Sequence, residues 1–170
     1  MKILETERLI IRQLSKDDAE FIFELLNEPS FIRNIGDRNI RTLDDACAYI
    51  VNGPVASYAK NGFGLWLVVL KETNESIGMC GLIRRESLEN VDIGYALLPK
   101  FWSKGYAVEA ARAVKEYAKD VVRLERLVAI VDPTNEGSIR LLEKLGLRYE
   151  KMVRLSADDI DLKLFAIDFE

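Results

Sequence analysis

Histidine is absent from this 170-residue chain, and there are only two cysteines and four prolines. Without an imidazole, a histidine-based catalytic triad and a histidine-ligated zinc site are both excluded. Cys47 and Cys80 lie in separate apolar segments with no CxxC spacing. They read as buried thiols, forming neither a disulfide nor a metal pair, and no metal site is expected. No hydrophobic run approaches the length of a membrane span, and the opening Met1-Lys-Ile-Leu-Glu5 lacks the apolar core of a signal peptide. No membrane partner is therefore expected, and the cytoplasm is the expected location. Positive charge is also in deficit, with 24 Lys and Arg against 28 Asp and Glu for a net charge of −4. That balance speaks against nucleic acid as a partner and for a cationic substrate. Repeats, low-complexity tracts and Pro/Gly/Ser-rich linkers are missing too, so residues 1–170 are expected to form one domain.

What is present follows a legible order. Residues 9–14 (Leu9-Ile-Ile-Arg-Gln-Leu14) form an apolar, β-branched run expected to be a strand. Ser15 with Asp18 is a capping pattern that opens a helix carrying Phe21, Ile22, Leu25 and Leu26 on one stripe, and Pro29 ends or redirects it. Thr42 with Asp45 repeats the pattern, and Gly53-Pro54 is expected to break the second helical stretch in two. From Gly62 the period becomes two. Residues 63–70 and 77–83 read as a hairpin across the polar 71–76 turn, and 91–98 as a third strand after a turn at 88–90. A helix over 107–121, with Val114, Ala118 and Val121 toward the sheet, leads to a strand at 127–131. A helix over 135–145, stopped by Gly146, and a closing hairpin of 147–155 and 160–169 complete the chain. The expected architecture is α/β in the α+β sense: one mixed, mostly antiparallel central sheet with helices on both faces. The strand–helix–strand unit around Gly105 supplies its parallel pair.

Two segments carry chemistry. The loop Trp102-Ser103-Lys104-Gly105-Tyr106-Ala107 joins a strand to a helix start. It can be a simple turn needing one glycine, or a cradle whose main-chain N–H groups hold a diphosphate at the positive end of the helix dipole. It is neither a Walker loop nor a dinucleotide fingerprint, because the required glycines and lysine are missing. The second segment, Asp132-Pro-Thr-Asn135-Glu-Gly-Ser138, places Asn135 where it can cap a helix or bond an amide-bearing ligand, with Ser138 one turn on as a possible proton donor. On the strand 91–98, Val91, Ile93, Tyr95 and Leu97 share one face, while Asp92, Gly94 and Ala96 share the other. Asp92 is thus a lone carboxylate on a small-residue face, either ion-paired or a general base. Trp66 and Trp102 can line a cleft or pack, Lys104 can touch a phosphate, and Glu109 suits the first turn of its helix through the dipole. Arg84-Arg85-Glu86 reads as an exposed strand end, and Asp158, Asp159 and Asp161 either as a solvated hairpin tip or as an attraction for a cationic substrate.

Taken in order, Glu5-Thr-Glu-Arg-Leu-Ile-Ile-Arg12, Asp92-Ile-Gly-Tyr95, the loop 102–107 and Asn135-x-x-Ser138 before Glu143-Lys-Leu-Gly-Leu147 resemble the GNAT N-acetyltransferase superfamily, in its RimJ/RimL-like branch. The resemblance spans nearly the whole chain and implies acetyl-CoA as cofactor and an amine as acceptor. It places the diphosphate on the amides of Trp102, Ser103, Lys104, Gly105, Tyr106 and Ala107, with Trp102 in place of the usual Arg or Gln and Ala107 in place of a second Gly. It places the pantetheine arm on main-chain groups of Tyr95, Ala96 and Leu97, and Asn135 beside that arm. Many relatives carry a tyrosine acid where Leu142 stands here, whereas Ser138 matches the serine given that role in the nearer branch. With no histidine the base is a carboxylate or a water chain, and Asp92 is the candidate. A protein N-terminus is the acceptor that the branch suggests. A non-catalytic acyl-CoA-binding module remains the alternative, and the edge of the closing hairpin is a surface for a homodimer.

Overall fold

Eight strands hydrogen-bond in the order β1-β2-β3-β4-β5-β6-β8-β7 in the computed structural model, which describes residues 1–170. The strands are β1 Lys2–Glu5, β2 Leu9–Arg12, β3 Leu65–Leu70, β4 Ser76–Ile83, β5 Asp92–Leu97, β6 Arg126–Val131, β7 Arg148–Val153 and β8 Leu162–Asp168. All neighbours are antiparallel except β5 and β6. The expected mixed sheet is therefore present, with one parallel pair at its centre. β1 is an addition to it. Four residues with Lys2 and Glu5 at the ends give no periodic signal, and the pairing with β2 makes the strand.

The helices are α1 Ala19–Leu26, α2 Pro29–Asn34, α3 Leu43–Ile50, α4 Ala56–Asn61, α5 Tyr106–Tyr117 and α6 Glu136–Lys144. Ser15 and Thr42 close reciprocal capping boxes with Asp18 and Asp45, satisfying N–H groups that a helix start leaves free. Asp18 is buried, and its carboxylate also takes both outer nitrogens of Arg12, at 3.0 and 2.8 Å. Pro29 sits at the first position of α2, where no backbone N–H is required. The stretch through Gly53-Pro54 does not break. A wider π-helical turn over Val51–Val55 carries the chain from α3 into α4, absorbing the donor that Pro54 lacks. A similar turn over Ala118–Val122 ends α5, leaving Val121 60% exposed instead of facing the sheet.

The side-chain alternation of the strands assigns the two faces. Trp66 of β3 packs edge-on against Tyr117 of α5, with ring centroids 5.2 Å apart. Cys80 lies opposite Trp66 and Tyr95 opposite Cys80, so all three share the α5 face. Leu65, Gly81, Gly94 and Asp92 share the other, which Arg12 and its partner Asp18 before α1 also occupy. A continuous apolar core of 38 buried residues fills both sides. No helix is long and apolar enough to cross a membrane.

Candidate active site

The parallel strands β5 and β6 barely touch. Their register holds only Asp92 against Val128, where the Val128 N–H donates to the Val91 carbonyl at 3.1 Å. Beyond that point they part. On its other edge β5 is fully paired with β4, and the Leu98 N–H donates to the Ile77 carbonyl at 2.9 Å. Backbone alternation then turns the even-numbered peptide groups of β5 toward β4 and the odd-numbered ones into the gap. The N–H and C=O of Tyr95 and the N–H of Leu97 face the gap, and the Leu97 carbonyl is taken by the indole N–H of Trp102 at 2.9 Å. Main-chain groups at a core strand demand partners, and an extended, amide-bearing ligand can supply them here. Ala96, expected to contribute main-chain groups, points them at Met79 of β4 and offers only its methyl.

The gap opens into a cleft of about 1100 Å³. At the carboxyl end of β5 the chain turns through Pro99–Phe101 and reaches α5 by a loop with two left-handed residues, Ser103 at φ 61° and Gly105 at φ 85°. Such alternation makes a concave row of N–H groups. Gly105 caps α5 without any side-chain bond to its first turn, leaving that turn's donors free. Trp102, Ser103, Gly105, Tyr106 and Ala107 line the cleft, and Lys104 does not. The Lys104 carbonyl instead accepts from Arg8 at 3.0 Å. The Trp102 N–H, expected to be a donor, is taken by the Pro99 carbonyl at 3.1 Å, so the free amide row that suits a diphosphate begins at Ser103. An amide-bearing arm suits the β5 edge.

At the other end of β5 lies Asp92, 1% exposed and paired with Arg85 at 3.1 Å. Burial pushes its carboxyl up to about 6, against the downward pull of Arg85. Arg85 therefore belongs to the site, where the sequence reads as an exposed strand end. The register between β4 and β5 explains this, since Ile83 lies opposite Asp92 and Arg85 follows just beyond. Tyr49 of α3 also lines this end; burial holds its phenol above the ordinary value, while Arg38 and Arg85 pull it down.

The opposite face of β5 carries Tyr95, whose phenol oxygen lies 2.5 Å from the Ser138 hydroxyl. Burial pushes the Tyr95 phenol up, opposed by that bond. Ser138 is in the first turn of α6, where the Asn135 side chain caps the helix by accepting from the Ser138 N–H at 3.2 Å. Both residues line the cleft, as does Leu142. Trp66 is buried in the core away from it, whereas Trp102 is half-exposed on its rim. Asp158 and Asp159 line the cleft from the β7–β8 turn, and Arg33 and Arg38 line it too; Asp161 pairs with Arg154. Neither cysteine lines the cleft, and burial pushes the Cys80 thiol up.

Fold and site together fit a transferase of acyl groups. The acetyltransferase (GNAT) domain family matches residues 8–148, and the chain belongs to this family, in its RimJ/RimL-type branch. It is 33% identical over 153 residues to the uncharacterized N-acetyltransferase YoaA of Bacillus subtilis, covering 89% of this chain and 86% of that one. An acetyltransferase structure from Agrobacterium tumefaciens superposes with a TM-score of 0.83 at 25% identity, covering 99% and 95% of the two chains. RimL, a ribosomal L7/L12 α-N-protein acetyltransferase solved with coenzyme A, shares the fold with a TM-score of 0.82 at 15% identity, covering 99% and 98%. The protein is thus a GNAT-family N-acetyltransferase whose acetyl donor is acetyl-CoA.

Proposed function

We propose that the enzyme acetylates a primary amine, of a protein N-terminus or a small molecule, by direct attack while donor and acceptor are both bound. One observation carries the reading: Asp92 and the Tyr95–Ser138 pair sit on opposite faces of the strand whose free edge faces the gap. Strand alternation thereby separates the group that removes a proton from the groups that supply one. Bound acetyl-CoA supplies an acetyl thioester already activated toward nitrogen. The amine arrives protonated and must lose its proton before its lone pair can attack. Asp92 is the proton acceptor, and its carboxyl near pH 6 is charged at neutral pH yet basic enough for the task. Arg85 holds it in place and keeps it ionised. The Tyr95 N–H is a free donor for the thioester carbonyl oxygen. The diphosphate rests on the amides of Ser103 and of Gly105 to Ala107, and Asn135 stands beside the arm. Direct attack fits the cysteines, since neither reaches the cleft as a nucleophile.

Ser138 is the proton donor to the departing sulfur and regains its proton from solvent through the cleft, while the Tyr95 phenol that bonds it holds the hydroxyl in place. Thiolates leave readily, so this role has a modest effect. Ser138→Ala is expected to lower kcat by about tenfold, the shallow end of the ~10²–10⁴ range for general acids and bases. Tyr95→Phe is expected to have a smaller effect in the same direction. Full activity of Ser138→Ala in a steady-state assay would hand the role to water. The acceptor is tested by a panel of small amines and peptide N-termini read by free-thiol release. Turnover of at least one member supports the reading. Tight acetyl-CoA binding with no thiol release on any member favours a non-catalytic acyl-CoA carrier.

A further inference from the structure

We infer that Arg8, outside the cleft, is a positioning residue that holds the diphosphate loop in its binding conformation. Two of its three guanidinium nitrogens bond groups of this region. Nε donates to Glu109 Oε1 at 2.8 Å, one outer nitrogen donates to the Lys104 carbonyl at 3.0 Å, and the plane lies over the Tyr106 ring at 4.4 Å. Glu109 is itself fixed by three donors from the β1–β2 turn, adding the Thr6 hydroxyl at 2.6 Å and the Arg8 N–H at 3.0 Å. Neither Thr6 nor Arg8 lines the cleft, so the contact is made from behind the loop.

The loop needs such a support. Ser103 and Gly105 are both left-handed, and only the second is a glycine. A left-handed serine is strained and persists where its surroundings hold it. The carbonyl that Arg8 grips belongs to Lys104, the residue between them. A Cβ at Gly105 would come within 3.2 Å of the remaining outer nitrogen of Arg8, so loop and guanidinium are in close contact there. Freed from this grip, the amide row loses the alternation that makes it concave, and ordering it again would draw on the binding energy. The N-terminal hairpin therefore reaches the cofactor through Arg8 and Glu109, a link of 101 positions in sequence.

This inference rests on the loop being the diphosphate site, and the test separates the two. Coenzyme A, dephospho-coenzyme A and pantetheine are titrated by calorimetry into the wild type, Arg8→Gln and Arg8→Lys. Both variants are expected to bind coenzyme A and dephospho-coenzyme A about tenfold more weakly, and pantetheine as the wild type does. Lysine keeps the charge but cannot bond Glu109 and the Lys104 carbonyl together, so it is expected to resemble glutamine. Glu109→Gln gives a third, independently folding route to the same loss. Equal weakening for pantetheine would make Arg8 a general structural residue and overturn the inference. Wild-type affinity in Arg8→Lys would reduce its role to charge and overturn it too. A wild type that binds coenzyme A no better than pantetheine would remove the diphosphate site itself, and the inference with it.

Discussion

Asp92→Asn is expected to lower kcat/KM by about 100-fold and to abolish the acid limb of the pH–rate profile. Removing a general base costs ~10²–10⁴ in rate, and the amide keeps the shape of the carboxylate while losing its basicity. In the wild type, activity falls as pH drops through about 6, where the buried carboxyl takes up a proton. Above that value the limb is flat until another group titrates. Arg85→Met carries the sign further: burial is then unopposed by the neighbouring guanidinium, so the limb moves to higher pH. Stability follows the same group in a different window. The folded state holds the Asp92 proton more tightly than an unfolded chain, whose aspartate titrates near its ordinary 3.8. The stabilisation that this proton affinity brings is complete below about pH 4 and lost as pH rises through about 6. Asp92→Asn flattens that slope as well. An unchanged profile with undiminished turnover would take Asp92 out of the mechanism and leave a water chain as the base.

How far the sequence reached depended on how far apart the interacting residues are. Local signals were readable. Both capping boxes, the meander hairpins, the face of β5 that Asp92 occupies and the glycine at the α5 start depend on residues within a few positions of one another. The central parallel pair followed from the handed strand–helix–strand connection. What could not be read was set by tertiary register. Glu109 looked like a helix-dipole residue because its partners Thr6 and Arg8 lie at the far end of the chain. Arg85 looked exposed because only the β4–β5 pairing swings it back over Asp92. The phenol on Ser138 comes from Tyr95, on β5, whereas the pattern of relatives directs attention to the α6 position held by Leu142. Nor does any periodicity encode the parting of β5 and β6. Strands that would pair and strands that diverge carry the same alternation.

Gly78→Ala is expected to be strongly destabilising and to disturb the strand that forms the cleft edge. Gly78 lies on β4 directly opposite Leu97. A Cβ there would sit 2.3 Å from the Ala96 carbonyl oxygen and 2.8 Å from the Leu97 Cα. The obstacle is backbone, which cannot swing aside as a side chain does, so β5 must move or the pairing must open. A loss of about 3 kcal/mol is expected, at the upper end of overpacking costs. For a domain of this size that corresponds to a fall in Tm of roughly 6–12 °C. The same displacement shifts the Leu97 N–H and the Trp102 bond to the Leu97 carbonyl, so coenzyme A affinity should fall together with stability. Gly53→Ala is the matched control. Nothing stands within 4 Å of its added methyl, its φ is not left-handed, and a small gain of about 0.5 kcal/mol is expected from the stiffer unfolded chain. Calorimetric melting of the pair, with and without coenzyme A, distinguishes a strand held apart by its neighbour's missing side chain from a glycine that merely fills a turn. Equal melting temperatures would mean that β4 and β5 adjust freely at Gly78, and that the free edge of β5 is not rigidly set.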